Sequence, residues 1–453
     1  MNDTICAIAT SVGNGAISII RVSGDDAIEK VNSIFKGKDL TKVESHTINY
    51  GHIVDNDKVI DEVLVSVMKA PKTYTMEDVV EINTHGGIAP TNKVLQLLIK
   101  NGCRMAERGE FTKRAFLNGR IDLIEAEAVM DKINAQTDIQ NELANNQLNG
   151  KVSSLINSLR DDMIQIISNI NVNIDYPEYD DVDIITNEIM IPKINNLEEK
   201  ITKILKESKN GKLIKDGIKT SIIGKPNVGK SSLLNELLEE DKAIVTEIAG
   251  TTRDIVEGQI NINGILLNII DTAGIRETND IVESIGVEKS IKMMEESDLV
   301  LFMLNNNEEL TDDIKSLLNK LENKNYIIII NKTDLEDKLD LTNLNINKDY
   351  IVKTSIKNHQ GIDELKNKII DLFNIKEIET KDPTYLSNSR SIGLLEQCLN
   401  DVKDVKEGIN NGETIDMIEI DIRNIWEKLG QINGTSYEDE LLDEMFKRFC
   451  LGK

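Results

Sequence analysis

The chain has 453 residues, enough for about two to four domains. Its 53 Lys and Arg face 78 Asp and Glu, a formal charge of −25, and only 4% of residues are aromatic. That balance excludes a basic nucleic-acid binder acting alone and advertises no base-stacking platform. Any RNA contact is expected to be local, shared with a partner or dependent on state. Cys6, Cys103, Cys398 and Cys450 lie far apart in sequence with no C-x-x-C pair. This points to a reducing compartment and away from a disulfide scaffold or zinc ribbon. His46, His52, His85 and His359 are equally scattered, so no metal cluster is legible. Apolar runs such as residues 326–330 are too short to span a bilayer, and the N-terminus has no charged-then-apolar leader pattern. A cytoplasmic protein without membrane contact is expected.

In chain order, residues 1–118 alternate strand-like and helix-like pieces, a compact α+β unit. Residues 16–22, 63–68 and 79–82 read as strands, 84–87 as a loop and 91–101 as a helix. Arg21, Glu81 and Arg120 stand beside these pieces, and residue type alone marks them only as surface or ion-paired charges. From Ile121 to about Lys209 the apolar spacing is helical, broken by the acidic stretch 175–183 around Pro177. That stretch lacks the glycine and spacing of a calcium loop and reads as a solvated connection. The helical pattern stops near Asn210-Gly211, α/β alternation runs to about Phe373, and helices resume at 391–409, 414–429 and 437–449. Two separated helical halves predict one helical domain with an α/β domain inserted into it.

The inserted part carries the chemistry. Gly224 to Ser232 reads GKPNVGKSS, between an apolar run at 220–223 and a helical run at 233–238. A strand, a glycine-rich loop and a helix start form a phosphate cradle, with backbone N–H groups and the helix dipole facing the anion. Asn227, Val228, Gly229, Lys230, Ser231 and Ser232 form it, Lys230 toward the outer phosphates and Ser231 offering its hydroxyl to Mg²⁺. Thr251-Thr252-Arg253-Asp254 follows, and a threonine there can give Mg²⁺ a second hydroxyl. Strands at 255–262 and 265–270 flank the hairpin signal Asn263-Gly264. They lead into Asp271-Thr272-Ala273-Gly274, with Asp271 near the metal and Gly274 N–H near the γ-phosphate. Strand 327–330 ends in Asn331-Lys332-Thr333-Asp334, whose carboxylate accepts the guanine N–H donors that adenine lacks. Ser355, Ile356 and Lys357 back the base. Ile275 occupies the place of the glutamine that orients water in Ras-like enzymes. Another device must do so, with Arg253, Arg276, Glu277, Glu283 and Asn227 as candidates.

GKPNVGKSS, AIVTEIAGTTRD (243–254), DTAGIRE (271–277) and the terminal FCLGK (449–453), with DTICAIAT, IIRVSG and GEFTKRAFLNGRIDLIEAEAV, resemble the MnmE (TrmE) family of tRNA-modification GTPases over essentially the whole chain. The resemblance implies a multidomain α/β protein. Residues 1–118 would bind tetrahydrofolate and dimerise, and 119–212 and 377–453 would be halves of a helical domain. Residues 213–376 would be a Ras-like P-loop G domain inserted between them. It implies that Thr246, Glu247, Ile248, Ala249, Gly250, Thr251 and Thr252 join the GTP site. K⁺ would be held by Asn227, Thr246, Ile248 and Thr251, and Mg²⁺ by Ser231 and Thr252. The K⁺ would stand where an arginine finger acts elsewhere, and Glu283 would orient the water. Arg21, Glu81, Arg120 and Lys453 would surround 5-formyl- or methylene-tetrahydrofolate, with Arg120 where some members have lysine. Cys450 would act in the modification step. With an FAD-dependent MnmG-type partner, in a heterotetramer or larger complex, the homodimer would install an aminomethyl-type or carboxymethylaminomethyl group on C5 of wobble uridine 34 of certain tRNAs. The alternative is a ribosome-assembly switch of the Era or Der type.

Overall fold

A computed structural model describes residues 3–175, 187–240, 258–270, 287–322, 324–342, 346–375, 385–437 and 439–452. The acidic stretch beyond residue 175 lies outside these ranges.

The N-terminal part is a seven-stranded sheet. Strands β1 (Ile5–Ile8), β2 (Ile17–Ser23), β3 (Phe35–Gly37), β4 (Thr47–Asp55), β5 (Lys58–Met68), β6 (Val79–His85) and β7 (Arg104–Met105) take the order β3-β4-β5-β6-β2-β1-β7. Alternation decides which face is buried. Ile20, Val22, Val63, Val65, Val80 and Ile82 turn inward, with residues of α1 (Ala27–Asn32) and α2 (Ile88–Lys100), into one core. The other face is covered over β1, where Phe111 packs on Ile5 and Ala7, and open over β4 and β5; Arg21 stands on it between Ala7 and Glu81. Thr84 and His85, expected as loop, complete β6 by pairing with Ser18 and Ile17. Cys6 and Cys103, distant in sequence, meet in this core as free thiols. The neighbouring Cys103 thiol and burial push the Cys6 thiol far above its ordinary value.

Helices α3 (Glu110–Leu117), α4 (Leu123–Asn134), α5 (Asp138–Leu148), α6 (Lys151–Asp175) and α7 (Asn187–Asp216) follow. Both α4 and α5 start in capping boxes, Asp122 with Glu125 and Thr137 with Gln140. The end expected at Asn210-Gly211 is not an end, since α7 runs on to Asp216. Gly211 is there for close packing: a Cβ would come within 2.5 Å of Leu386 O on the returning chain. Helices Ser389–Asn411 and Ile415–Asn433 pack with α6 and α7 in one core, so segments on both sides of the intervening sheet share a single apolar interior.

That intervening sheet has six strands, ordered β13-β12-β11-β8-β10-β9. They are β8 (Ile218–Gly224), β9 (Gln259–Ile262), β10 (Ile265–Ile269), β11 (Leu299–Asn305), β12 (Asn325–Asn331) and β13 (Ile351–Lys353). All pairs are parallel except the β9–β10 hairpin, turned at Asn263 and Gly264 with φ of 48° and 84° as the sequence predicts. Consecutive apolar residues in β11 and β12 are buried on both faces, as a covered parallel sheet requires.

Helices α4 and α5 hold the two crossings into and out of this sheet. On α4, Glu127 pairs with Arg390 on the exit side at 3.1 Å, and Asp131 pairs with Lys215 on the entry side at 2.8 Å. On α5, Gln140 donates to Ile214 O at 3.0 Å and Gln147 to Tyr385 O at 3.0 Å. Burial raises both carboxyls above the ordinary range, as expected for charges removed from water.

Candidate functional site

The loop after β8 sits where a parallel α/β sheet places its ligands, at the carboxyl ends of central strands. Gly229 has φ 106°, and a Cβ there would meet Asn331 Nδ2 at 2.5 Å, so only glycine lets the loop close. Helix α8 (Lys230–Glu240) starts at the loop, aiming its N-terminus inward. Lys230 folds back over the loop and donates to Gly224 O and Lys225 O, each at 2.8 Å. Burial lowers its ammonium below the ordinary lysine value, and a phosphate anion there favours the charged form. Ser231 lies half-buried and Ser232 exposed on the first turn of α8.

The segment from Asn331 to Asp334 is tied to this loop. Asn331 is 4% exposed. Its Nδ2 donates to Val228 O at 2.8 Å, and its Oδ1 accepts from Thr354 Oγ1 at 3.2 Å and Ile356 N–H at 3.3 Å. Lys332, at φ 64°, reaches Asn227 O at 2.8 Å. Asp334 is exposed, and the Ser355 hydroxyl donating to it at 2.8 Å holds its carboxyl below the usual range. Ser355 and Ile356 are buried behind it and Lys357 is exposed. Asn227, Val228, Asn331, Lys332, Asp334 and Ser355 thus converge from three segments. His359, which sequence reasoning passed over, meets Glu236 of α8 and ties that helix to the same loop. Thr246, Glu247, Ile248, Ala249, Gly250, Thr251, Thr252, Asp271, Thr272, Ala273, Gly274 and Glu283 lie outside the described residues, as do Arg253, Ile275, Arg276 and Glu277.

A second cluster forms on the partly covered face of the N-terminal sheet. Arg21 Nε donates to Glu81 Oε1 at 2.9 Å, and Arg21 Nη1 to Gly452 O at 3.3 Å. The chain end reaches there because Leu451 bridges Arg108 and Gly109 N–H donates to Cys450 O at 3.3 Å. Cys450 is exposed, two residues before Gly452, and Lys453 lies outside the described residues. Arg120 joins through Tyr74, with its Nη1 donating to Tyr74 O at 3.1 Å and its guanidinium 4.8 Å from the Tyr74 ring centre. Arg21 lies 5.4 Å from the same ring. Asn83 Oδ1, two residues along β6 from Glu81, is buried with no hydrogen-bond partner among the described residues. Tyr74 and Gly452 were not legible beforehand. The aromatic in the turn at 73–77 was the one sequence signal, and nothing local ties it to Arg21.

The family model described as MnmE helical domain matches residues 123–450, and that described as GTP-binding protein TrmE N-terminus matches residues 4–120. The tRNA modification GTPase MnmE of Bacillus cytotoxicus is 54% identical over 455 residues, covering 100% of this chain and 99% of its own. That of Bacillus mycoides is 55% identical over 456 residues with the same coverage. The chain belongs to the MnmE family of tRNA modification GTPases.

Among solved structures, the G domain of the T. maritima FeoB iron transporter is similar over 34% of this chain and 98% of its own, at 27% identity. Its TM-score of 0.24 is too low to bear on the fold. For an MnmE family member the two clusters have one notable relation. The phosphate loop and the residues tied to it all lie between 224 and 357, whereas the Arg21 cluster joins β2 to Gly452. No helix among the described residues is long and apolar enough to cross a membrane.

Proposed function

We propose that this chain is a cytoplasmic, potassium-dependent GTPase that works with an FAD-dependent partner on C5 of the wobble uridine of certain tRNAs, using a one-carbon folate. The observation that carries the reading is the joining, in one MnmE family chain, of a guanine-type nucleotide loop with a cationic cluster built from both chain ends. Asp334, held ionised by Ser355, accepts the guanine N–H donors, while Asn331 fixes that segment to the phosphate loop. Lys230 exchanges its two backbone acceptors for phosphate oxygens.

The residues suit the groups they would hold. Mg²⁺, bound by Ser231 and Thr252, neutralises phosphate charge when present. The exposed Asn227 offers a neutral amide oxygen beside the phosphate loop, the ligand type K⁺ accepts in place of water. Thr246, Ile248 and Thr251 would complete that set, and Glu283 would orient the water in place of the missing glutamine. Arg21 and Arg120 suit the carboxylates of 5-formyl- or methylene-tetrahydrofolate, Glu81 and the orphaned Asn83 Oδ1 suit N–H donors, and Lys453 would close the site. Cys450 would serve the modification step beside it.

A homodimer is supported by the open part of the same face, where Ile48, Tyr50 and Leu64 are 67%, 60% and 44% exposed. An MnmG-type flavoprotein, in a heterotetramer or larger complex, would provide the basic tRNA surface that a chain of charge −25 lacks. The test is nucleoside analysis of tRNA from a strain lacking this gene. Loss of the C5-modified wobble uridine is expected. Unchanged modification, with the protein co-purifying with a ribosomal subunit, would overturn the reading in favour of an Era- or Der-type switch.

A further inference from the structure

Two cations share one aromatic ring on the partly covered face of the N-terminal sheet, and they are not equivalent. Arg21 is compensated, since Glu81 pairs with it at 2.9 Å and Gly452 O accepts from it at 3.3 Å. Arg120 forms no ion pair among the described residues. Glu125, whose carboxyl feels its charge, is committed to the Asp122 cap. What places Arg120 is Tyr74, through its ring face at 4.8 Å and its carbonyl at 3.1 Å. Both guanidinium distances from the Tyr74 ring, 4.8 and 5.4 Å, fall within cation–π range.

The ring is itself held rigidly. Tyr74 Oη and Thr112 Oγ1 are hydrogen-bonded at 2.9 Å. The flanking turn is pinned by Asn118 donating to Thr75 O at 2.6 Å and by Thr73 Oγ1 donating to Glu77 O at 2.6 Å. Arg114, 1% exposed, anchors Glu77 from below at 3.1 Å. A fixed ring therefore carries a long, otherwise mobile cation to the edge of a compensated Arg21–Glu81 pair. The surplus is one positive charge whose position is set by an aromatic side chain.

We propose that Tyr74 is a positioning residue for Arg120, its ring face and its carbonyl together fixing the one guanidinium of the cluster that no carboxylate among the described residues pairs with. Its first test rests on the folate reading of the cluster. The experiment uses the full-length protein with 5-formyltetrahydrofolate titrated by calorimetry, in wild type, Tyr74→Phe, Tyr74→Leu, Arg120→Ala and Tyr74→Leu/Arg120→Ala. The leucine variant keeps the backbone carbonyl and removes only the ring. Tyr74→Phe should bind within about threefold of wild type, and Tyr74→Leu roughly tenfold more weakly. In the Arg120→Ala background, Tyr74→Leu should cost clearly less, because only the ring's longer contact with Arg21, which Glu81 also holds, is then left. An equal loss in both backgrounds, or none in either, would overturn the proposal.

A second measurement needs no folate. In ligand-free protein the Arg120 guanidinium protons should show an upfield ring-current shift in wild type and Tyr74→Phe. That shift should vanish in Tyr74→Leu. An unshifted Arg120 in the wild-type protein would refute the positioning role even if a variant failed to fold. Absence of folate binding with the ring-current shift intact would overturn the folate assignment alone and leave the positioning of Arg120 standing.

Discussion

Removing the Asn331 side chain tests whether the segment from Asn331 to Asp334, proposed to read the base, and the phosphate loop are one unit. Asn331→Ala deletes three hydrogen bonds, the donation to Val228 O at 2.8 Å and the acceptances from Thr354 at 3.2 Å and Ile356 N–H at 3.3 Å. The site is 4% exposed, so water does not replace these partners. A buried bond left half-made costs about 1 kcal/mol or more, so the three together should destabilise the nucleotide unit by roughly 3 kcal/mol. Because Val228 and Ile356 then lose their common tether, GTP affinity should fall by about tenfold or more. Asn331→Asp is the sharper variant. It keeps the acceptor for Thr354 and Ile356 but sets a carboxylate against Val228 O, so it should lose affinity while retaining part of the stability. Binding is read by titration with a fluorescent guanine nucleotide, and stability by urea denaturation of the full chain. Wild-type affinity in Asn331→Ala would show that the loop holds its shape without the tether and would refute the reasoning.

GTP turnover should rise strongly when Na⁺ is replaced by K⁺, and Asn227→Ala should erase the difference in a phosphate-release assay. Equal wild-type rates in the two salts would remove the cation role from Asn227. Glu283→Ala should lose most hydrolysis while keeping nucleotide binding, and loss of both would make Glu283 structural. Glu127→Ala leaves Arg390 without its carboxylate where the pair is 11% and 19% exposed, and should destabilise the helical core by roughly 3 kcal/mol. The single Trp426, packed against that core, reports the transition by fluorescence, and an unmoved midpoint would make the pair dispensable.

What the sequence by itself determined is the nucleotide loop. Gly224 to Ser232 is contiguous, its conformation depends on glycines and a helix start a few residues apart, and parallel strands deliver the second motif to the same sheet edge. The β9–β10 turn at Asn263-Gly264 was legible for the same reason, since a two-residue φ requirement is local. The helical halves were legible as periodicity, though not where α7 ends. Gly211 reads as a stop in sequence, and only the returning chain at Leu386 shows that it is a packing contact. The Arg21 cluster is the opposite case. Arg21, Tyr74, Arg120 and Gly452 come from four stretches, and the first and last are 431 residues apart. No propensity or spacing joins them, because what brings them together is β2–β6 pairing, the Leu451–Arg108 bridge and a ring that attracts two cations at once. Local chemistry reads from the chain; a charge whose place depends on a ring from another segment is decided only when the segments pack.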